Sequence, residues 1–164
     1  MPPDEMTRNR KAARHTQPPR LRQPKTQDVR LRFGARFRYP PNPVIEFVEE
    51  ELSRHDCPSR ALYQIEVAIE EILVNIVNYA ELSGDEGVEV RCEVRDEPLS
   101  VIIQFLDGGI PFDPLAMKDP DISPEANEER EGGLGIFMVK QMMDSVSYAY
   151  EGGKNTLTIL KNLE

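Results

Sequence analysis

Glu71, Asn75 and Asn78 follow one another at steps of four and three, the spacing that stacks side chains on one face of an α-helix. A carboxylate one turn from a carboxamide offers two kinds of chemistry. The acid can take a proton as a general base, and the amide oxygen can bind a hard cation. Mg2+ prefers oxygen ligands and keeps several waters, so one amide oxygen is enough where phosphates supply the rest. A polar stripe of this kind is also what the wet side of an amphipathic helix looks like. Val67 and Val74 flank it, which argues for a face that is partly covered.

Two glycine-bearing stretches add to this. The apolar run Val101–Leu106 leads straight into Asp107-Gly108-Gly109-Ile110-Pro111-Phe112-Asp113-Pro114. An acid at the end of a buried strand, followed by glycines, sets a fixed carboxylate beside backbone that a ligand can approach. Such a carboxylate could accept a hydrogen bond from an exocyclic amine like that of adenine; an ordinary Asp-Gly turn is the plainer alternative. Further on, Gly132, Gly133 and Gly135 open an apolar helix just after Arg130. Exposed N–H groups at the positive end of a helix suit phosphate, and Arg130 could add a charge-assisted contact. A flexible loop with an ordinary cap would read the same way. No Lys-Ser/Thr follows these glycines, so they do not form a Walker loop.

These residues need elements to hold them. Val29 to Arg38 alternate apolar and basic residues in strand period, and Tyr39–Pro43 break that strand and open a helix through about residue 54. A second helix runs from Pro58-Ser59 to about Ala80, with Leu62, Ile65, Ile69, Ile72 and Ile76 as its core stripe. Strands are expected at Gly87–Arg95 and Leu99–Leu106, a loop over 107–132, a helix over Leu134–Met143, and a closing hairpin of Ser145–Tyr150 and Asn155–Leu160. That order predicts an α+β sandwich, with helices covering one face of a largely antiparallel sheet.

Of the 164 residues, 1 to 28 are rich in Pro, Arg, Gln and Lys with almost no large apolar side chain. They are expected to form a disordered tail, with a single domain over 29–164. Residues 1–38 carry 11 Lys/Arg against 3 Asp/Glu, a net of +8, which leaves 9 against 26, a net of −17, for the rest. So acidic a domain repels nucleic acid, and the basic segment is the one place where RNA or DNA binding would reside. No apolar run approaches the roughly 20 residues that span a bilayer, and MPPDEMTRNRKAARH has no signal-peptide core; a cytoplasmic protein is expected. Cys57 and Cys92 stand in unrelated contexts, as do His15 and His55, and none is assigned a catalytic or ligand role.

Taken together, Glu71-x-x-x-Asn75, Asp107-x-Gly109-x-Pro111-Phe112-Asp113-Pro114, Gly132-Gly133-Leu134-Gly135 and the ending Gly153-Lys154-Asn155-Thr156-Leu157-Thr158 resemble the anti-sigma-factor serine/threonine kinases of the GHKL, or Bergerat-fold, ATPase superfamily. The resemblance spans residues 29 to 164. It implies a two-layer sandwich in which a mostly antiparallel mixed sheet is covered on one face by about three helices. It makes Glu71 the general base toward a protein hydroxyl and Asn75 the Mg2+ ligand that bridges to the triphosphate of ATP. Asp107 becomes the acid that reads the adenine amino group, with Gly109 allowing close approach. Gly132, Gly133 and Gly135, with Arg130, become the lid over the phosphates, and Thr158 the hydroxyl that supports the adenine contact through water. The Pro-Phe-Asp-Pro continuation is closer to anti-sigma kinases than to histidine kinases, gyrases or mismatch-repair ATPases. Tyr79 stands where many relatives carry His.

The partners implied are a STAS-domain anti-anti-sigma protein as substrate, a sigma factor held inactive, and a second copy of the chain in a homodimer. A non-catalytic module that sequesters a regulator in an ATP-dependent way is the alternative. Glu71 favours the kinase, because a pure binding module needs no base.

Overall fold

The computed structural model describes residues 27–31, 42–82, 87–123 and 133–164. Five strands form one sheet: β1 (Gln27–Leu31), β2 (Val88–Asp96), β3 (Leu99–Asp107), β4 (Ser145–Glu151) and β5 (Lys154–Asn162). Their order is β1-β2-β3-β5-β4, and every pairing is antiparallel. The parallel pairing that a mixed sheet would contain is therefore absent among the described strands. Three helices, α1 (Asn42–Leu52), α2 (Ser59–Tyr79) and α3 (Leu134–Met142), complete the α+β architecture.

Register explains where the core lies. Side chains alternate between the two faces of a strand, so Val90, Phe105, Leu157 and Tyr148 come into line across four strands, with Cys92, Ile103, Ile159 and Val146 as the next row. The helices complete the core. α1 contributes Val44, Val48 and Leu52 at four-residue steps, α2 contributes Ile65, Ala68, Ile69 and Ile72, and α3 contributes Ile136 and Val139, all buried. Each of the larger of these stabilises the fold by about 1.5–3 kcal/mol through burial. Within the predicted α2 stripe, Leu62 and Ile76 are only partly buried and pack against the margin of the core.

Two boundaries differ from expectation. The first strand begins at Gln27, two residues before the Val29 start that alternation predicted, and is described as far as Leu31; its expected continuation to Arg38 lies outside the described residues. Residues 32–41 lie outside the described residues, as do residues 1–26, most of the segment expected as a tail. The long loop after β3 is interrupted by a short 3-10 turn, Pro114–Ala116, whose first available N–H is capped by Asp113: its Oδ1 accepts from the Leu115 N–H at 2.9 Å.

Cys92 faces the core, and burial, reinforced by the nearby Glu51 charge, pushes its thiol up to about 12. Native protein at pH 8 is therefore expected to leave Cys92 unlabelled by a thiol reagent and to expose it only on unfolding. A proton held more tightly by the folded thiol lends stability below the unfolded thiol pKa, and that stability is lost as pH climbs toward 12. Chemical denaturation at pH 8 and at pH 10.5 should show the lower midpoint at the higher pH.

Candidate functional site

α2 carries Glu71 and Asn75 on one face, and the backbone fixes how the amide points. Asn75 Nδ2 donates to the Glu71 carbonyl at 2.8 Å. Only the NH2 end of an amide can make that bond, so Oδ1 is turned away from the helix as an acceptor. The donor set therefore fits a hard cation. Val67 is half-buried and Val74 is exposed, so the face is covered on one side only.

Gly135, in the first turn of α3, lies directly against Glu71. A Cβ built at 135 would collide with the Glu71 carboxylate and stand 3.0 Å from its Cδ. The missing side chain is what admits the carboxylate, and it brings a negative charge to the positive end of the α3 dipole. α3 itself is capped by Gly133 with φ of 86°, a left-handed conformation that glycine adopts without strain. Beside Gly133 lie Met117 and the Lys118 carbonyl. A 2.6 Å ion pair between Lys140 and Asp119 also ties that loop to α3.

Asp107 is buried at the end of β3. Its Oδ1 accepts from the Gly109 N–H and from Asn155 Nδ2, both at 2.9 Å. Gly109 does make a close approach, but to protein: a Cβ there would meet the Ala80 carbonyl, with the Ala80 carbonyl carbon and Cβ at 2.8 Å. Next to it, the Ile110 N–H donates to the Ala80 carbonyl at 3.0 Å, so the glycine loop satisfies an acceptor that the end of α2 would otherwise leave open.

Between these elements is a cavity of about 30 Å³ lined by Ile72, Asn75, Ile76, Ala80, Asp107, Phe112, Pro114, Tyr148, Asn155 and Leu157. Its walls are apolar apart from Asp107, Asn75, Asn155 and Tyr148. Phe112 closes one side and stacks on Tyr79, with ring centroids 5.0 Å apart at 17°. Along α2, the order from the Gly109 contact at Ala80 through Asn75 to Glu71 covers nine residues, roughly 13 Å of helix axis at 1.5 Å per residue.

The structure thus brings Asn75 and Asp107 to one cavity and sets Glu71 one turn beyond it, against Gly135. Arg130 and Gly132 lie outside the described residues. Thr158 is not at the cavity, and the expectation for it is corrected. On β5, Asn155, Leu157 and Ile159 point to the helices, so Thr158 points to the opposite face. There it pairs across from Gln104, whose Nε2 donates to Thr158 Oγ1 at 3.3 Å. The contact to Asp107 comes from Asn155 instead. One signal was available for it: Asn155 is a polar residue on the parity that Leu157 and Ile159 mark as buried.

No helix among the described residues is long and apolar enough to cross a membrane. A family model of the histidine kinase-like ATPase domain matches residues 35–161. The chain is 30% identical over 106 residues to serine-protein kinase RsbW of Listeria innocua, covering 62% of this chain and 66% of that one. It thus spans just under two thirds of that relative. It is also 25% identical over 116 residues to serine/threonine-protein kinase BtrW of Bordetella bronchiseptica, covering 71% and 81%. The solved RsbU and RsbW domains of a Mycobacterium tuberculosis protein share the fold, with a TM-score of 0.55 at 15% identity over 84% of this chain and 32% of that one.

Proposed function

The chain belongs to the histidine kinase-like ATPase domain family, and on that footing we propose that it is a cytoplasmic, ATP-dependent serine/threonine kinase of the anti-sigma-factor type. Its substrate is a hydroxyl on a STAS-domain anti-anti-sigma protein, and the unmodified pathway leaves a sigma factor or comparable regulator held by the kinase. Relatives named serine-protein kinases support the reaction class. The observation that carries the reading is the order of groups along α2. A buried acid lies at one end, an outward amide oxygen stands in the middle, and a carboxylate one turn further on sits beside the N-terminus of α3. A nucleoside triphosphate delivered to a protein hydroxyl presents base, phosphates and acceptor in that same order.

In this mechanism Asp107 accepts the adenine amino group, and the apolar walls Ile76, Ala80 and Leu157 hold the ring. Phe112, which lines the cavity and stacks on Tyr79, forms the outer wall against the base. Asn75 would hold Mg2+ through Oδ1, while the N–H groups of Gly133 and Gly135, with the expected lid residues Arg130 and Gly132, would take the triphosphate. When bound, Mg2+ neutralises charge on the phosphates, the main demand of phosphoryl transfer. Glu71 takes the hydroxyl proton as that oxygen bonds to the γ-phosphorus, while the bond from the γ-phosphorus to the bridging oxygen breaks and ADP leaves with the electron pair.

The test is phosphate transfer from radiolabelled Mg-ATP to purified STAS-domain proteins of the same organism. Labelling of one of them on Ser or Thr is the expected result and names the substrate. Tight ATP binding with no labelling of any would overturn the kinase reading in favour of a sequestering module.

A further inference from the structure

We propose that Asn155, held by Tyr148, is a positioning residue that sets the selectivity of this site for a 6-amino over a 6-oxo purine; this rests on the ATP reading above. Asn155 is buried, and β5 places it directly opposite Asp107 in the sheet register. Every hydrogen-bonding capacity of its side chain is used. Nδ2 donates to Asp107 Oδ1 and to the Ile110 carbonyl, each at 2.9 Å. Oδ1 accepts from the Phe112 N–H at 3.1 Å and from the Tyr148 hydroxyl at 2.6 Å. An amide has two donors and two lone pairs, so this saturation leaves it one orientation, with the NH2 end on the carboxylate.

The consequence for the nucleobase follows from charge. A carboxylate that reads a purine edge attracts an exocyclic amine and repels a carbonyl in its place. That discrimination requires the carboxylate to present an acceptor oxygen in one fixed rotamer. The Asn155 and Gly109 N–H groups, both donating to Oδ1, fix its plane. Asn155 also grips the loop on its other side, through the Ile110 carbonyl and the Phe112 N–H, so base edge and ring wall are set by one side chain. Tyr148 reaches this amide from β4, the edge strand. The edge of the sheet is thereby linked to the base pocket through a single hydroxyl.

The experiment measures dissociation constants of Mg-ATP and Mg-ITP for the full-length chain and for Asn155→Ser and Tyr148→Phe. Adenine and hypoxanthine differ at the amino group in question, so the ratio of the two constants within one protein cancels any general loss of stability. Wild type is expected to prefer ATP. Asn155→Ser, which keeps one donor but cannot span Asp107 and Ile110 together, should lower the ATP/ITP preference roughly tenfold, the size of one buried bond to a charged group. Tyr148→Phe leaves the amide in place with one partner fewer and should lower it about threefold, on the scale of a neutral bond. If Asn155→Ser does not fold, Tyr148→Phe decides. An unchanged ratio in the folded variants would overturn the inference and leave ATP binding standing. A wild-type chain that binds neither nucleotide would overturn the ATP reading, and the inference with it.

Discussion

Replacing Glu71 with Ala should reduce phosphate transfer by about 10²–10⁴-fold, the usual contribution of a positioned general base, while Mg-ATP affinity stays within about threefold of wild type. The two effects separate because Glu71 does not line the cavity whereas Asn75, one turn along, does. The variant also leaves the fold intact. Glu71 is only half-buried, and Ala is the best helix former. The Glu71 carbonyl survives the substitution, so Asn75 Nδ2 keeps its 2.8 Å acceptor and Oδ1 keeps its direction. The measurement is single-turnover transfer to the labelled substrate beside a nucleotide-binding titration. Transfer within tenfold of wild type would remove Glu71 from the role of base.

Elements whose burial repeats along the chain could be read from the sequence. The stripe Ile65, Ile69, Ile72 gave α2 to within a residue at each end. The apolar alternation in β2, β3 and β5 gave the sheet, because local periodicity and tertiary burial agree there. The candidate site was half legible. Glu71, Asn75 and Asp107 stood out because a charged or amide group beside an apolar stripe is visible in one dimension. Thr158 misled because the closing motif was matched by residue type, when the facing of a strand residue is decided by parity with its apolar neighbours. The reason for Gly109 was not legible at all. Its constraint is the Ala80 backbone, 29 positions earlier in the chain and adjacent only after folding. Gly135 likewise owes its lack of a side chain to Glu71 on another helix.

That difference in what each glycine touches makes the two predictably unlike on substitution. Gly109→Ala drives a Cβ into the Ala80 carbonyl, and backbone has no rotamer through which to retreat. Either the last turn of α2 or the loop after β3 must shift. Either movement breaks the 3.0 Å Ile110–Ala80 bond and disturbs the Gly109 N–H that holds Asp107. Overpacking costs about 1–3 kcal/mol and each orphaned buried group about as much again. A loss of about 3 kcal/mol or more is therefore expected, near 10 °C in the melting temperature for a domain of this size, together with weakened ATP binding. Gly135→Ala meets only the far end of the flexible Glu71 side chain. It also gains helix propensity, less than the roughly 1 kcal/mol of an interior position because it lies in the first turn, so its melting temperature should stay near wild type. Its cost falls on the displaced carboxylate and appears as slower transfer, with ATP affinity changed far less because the backbone N–H at 135 that would face the phosphates is kept. Calorimetric melting of both variants beside nucleotide titration separates the two cases. A Gly109→Ala chain as stable as wild type would mean that the loop after β3 does not rest on α2 in solution, and the placement of Asp107 would fall with it.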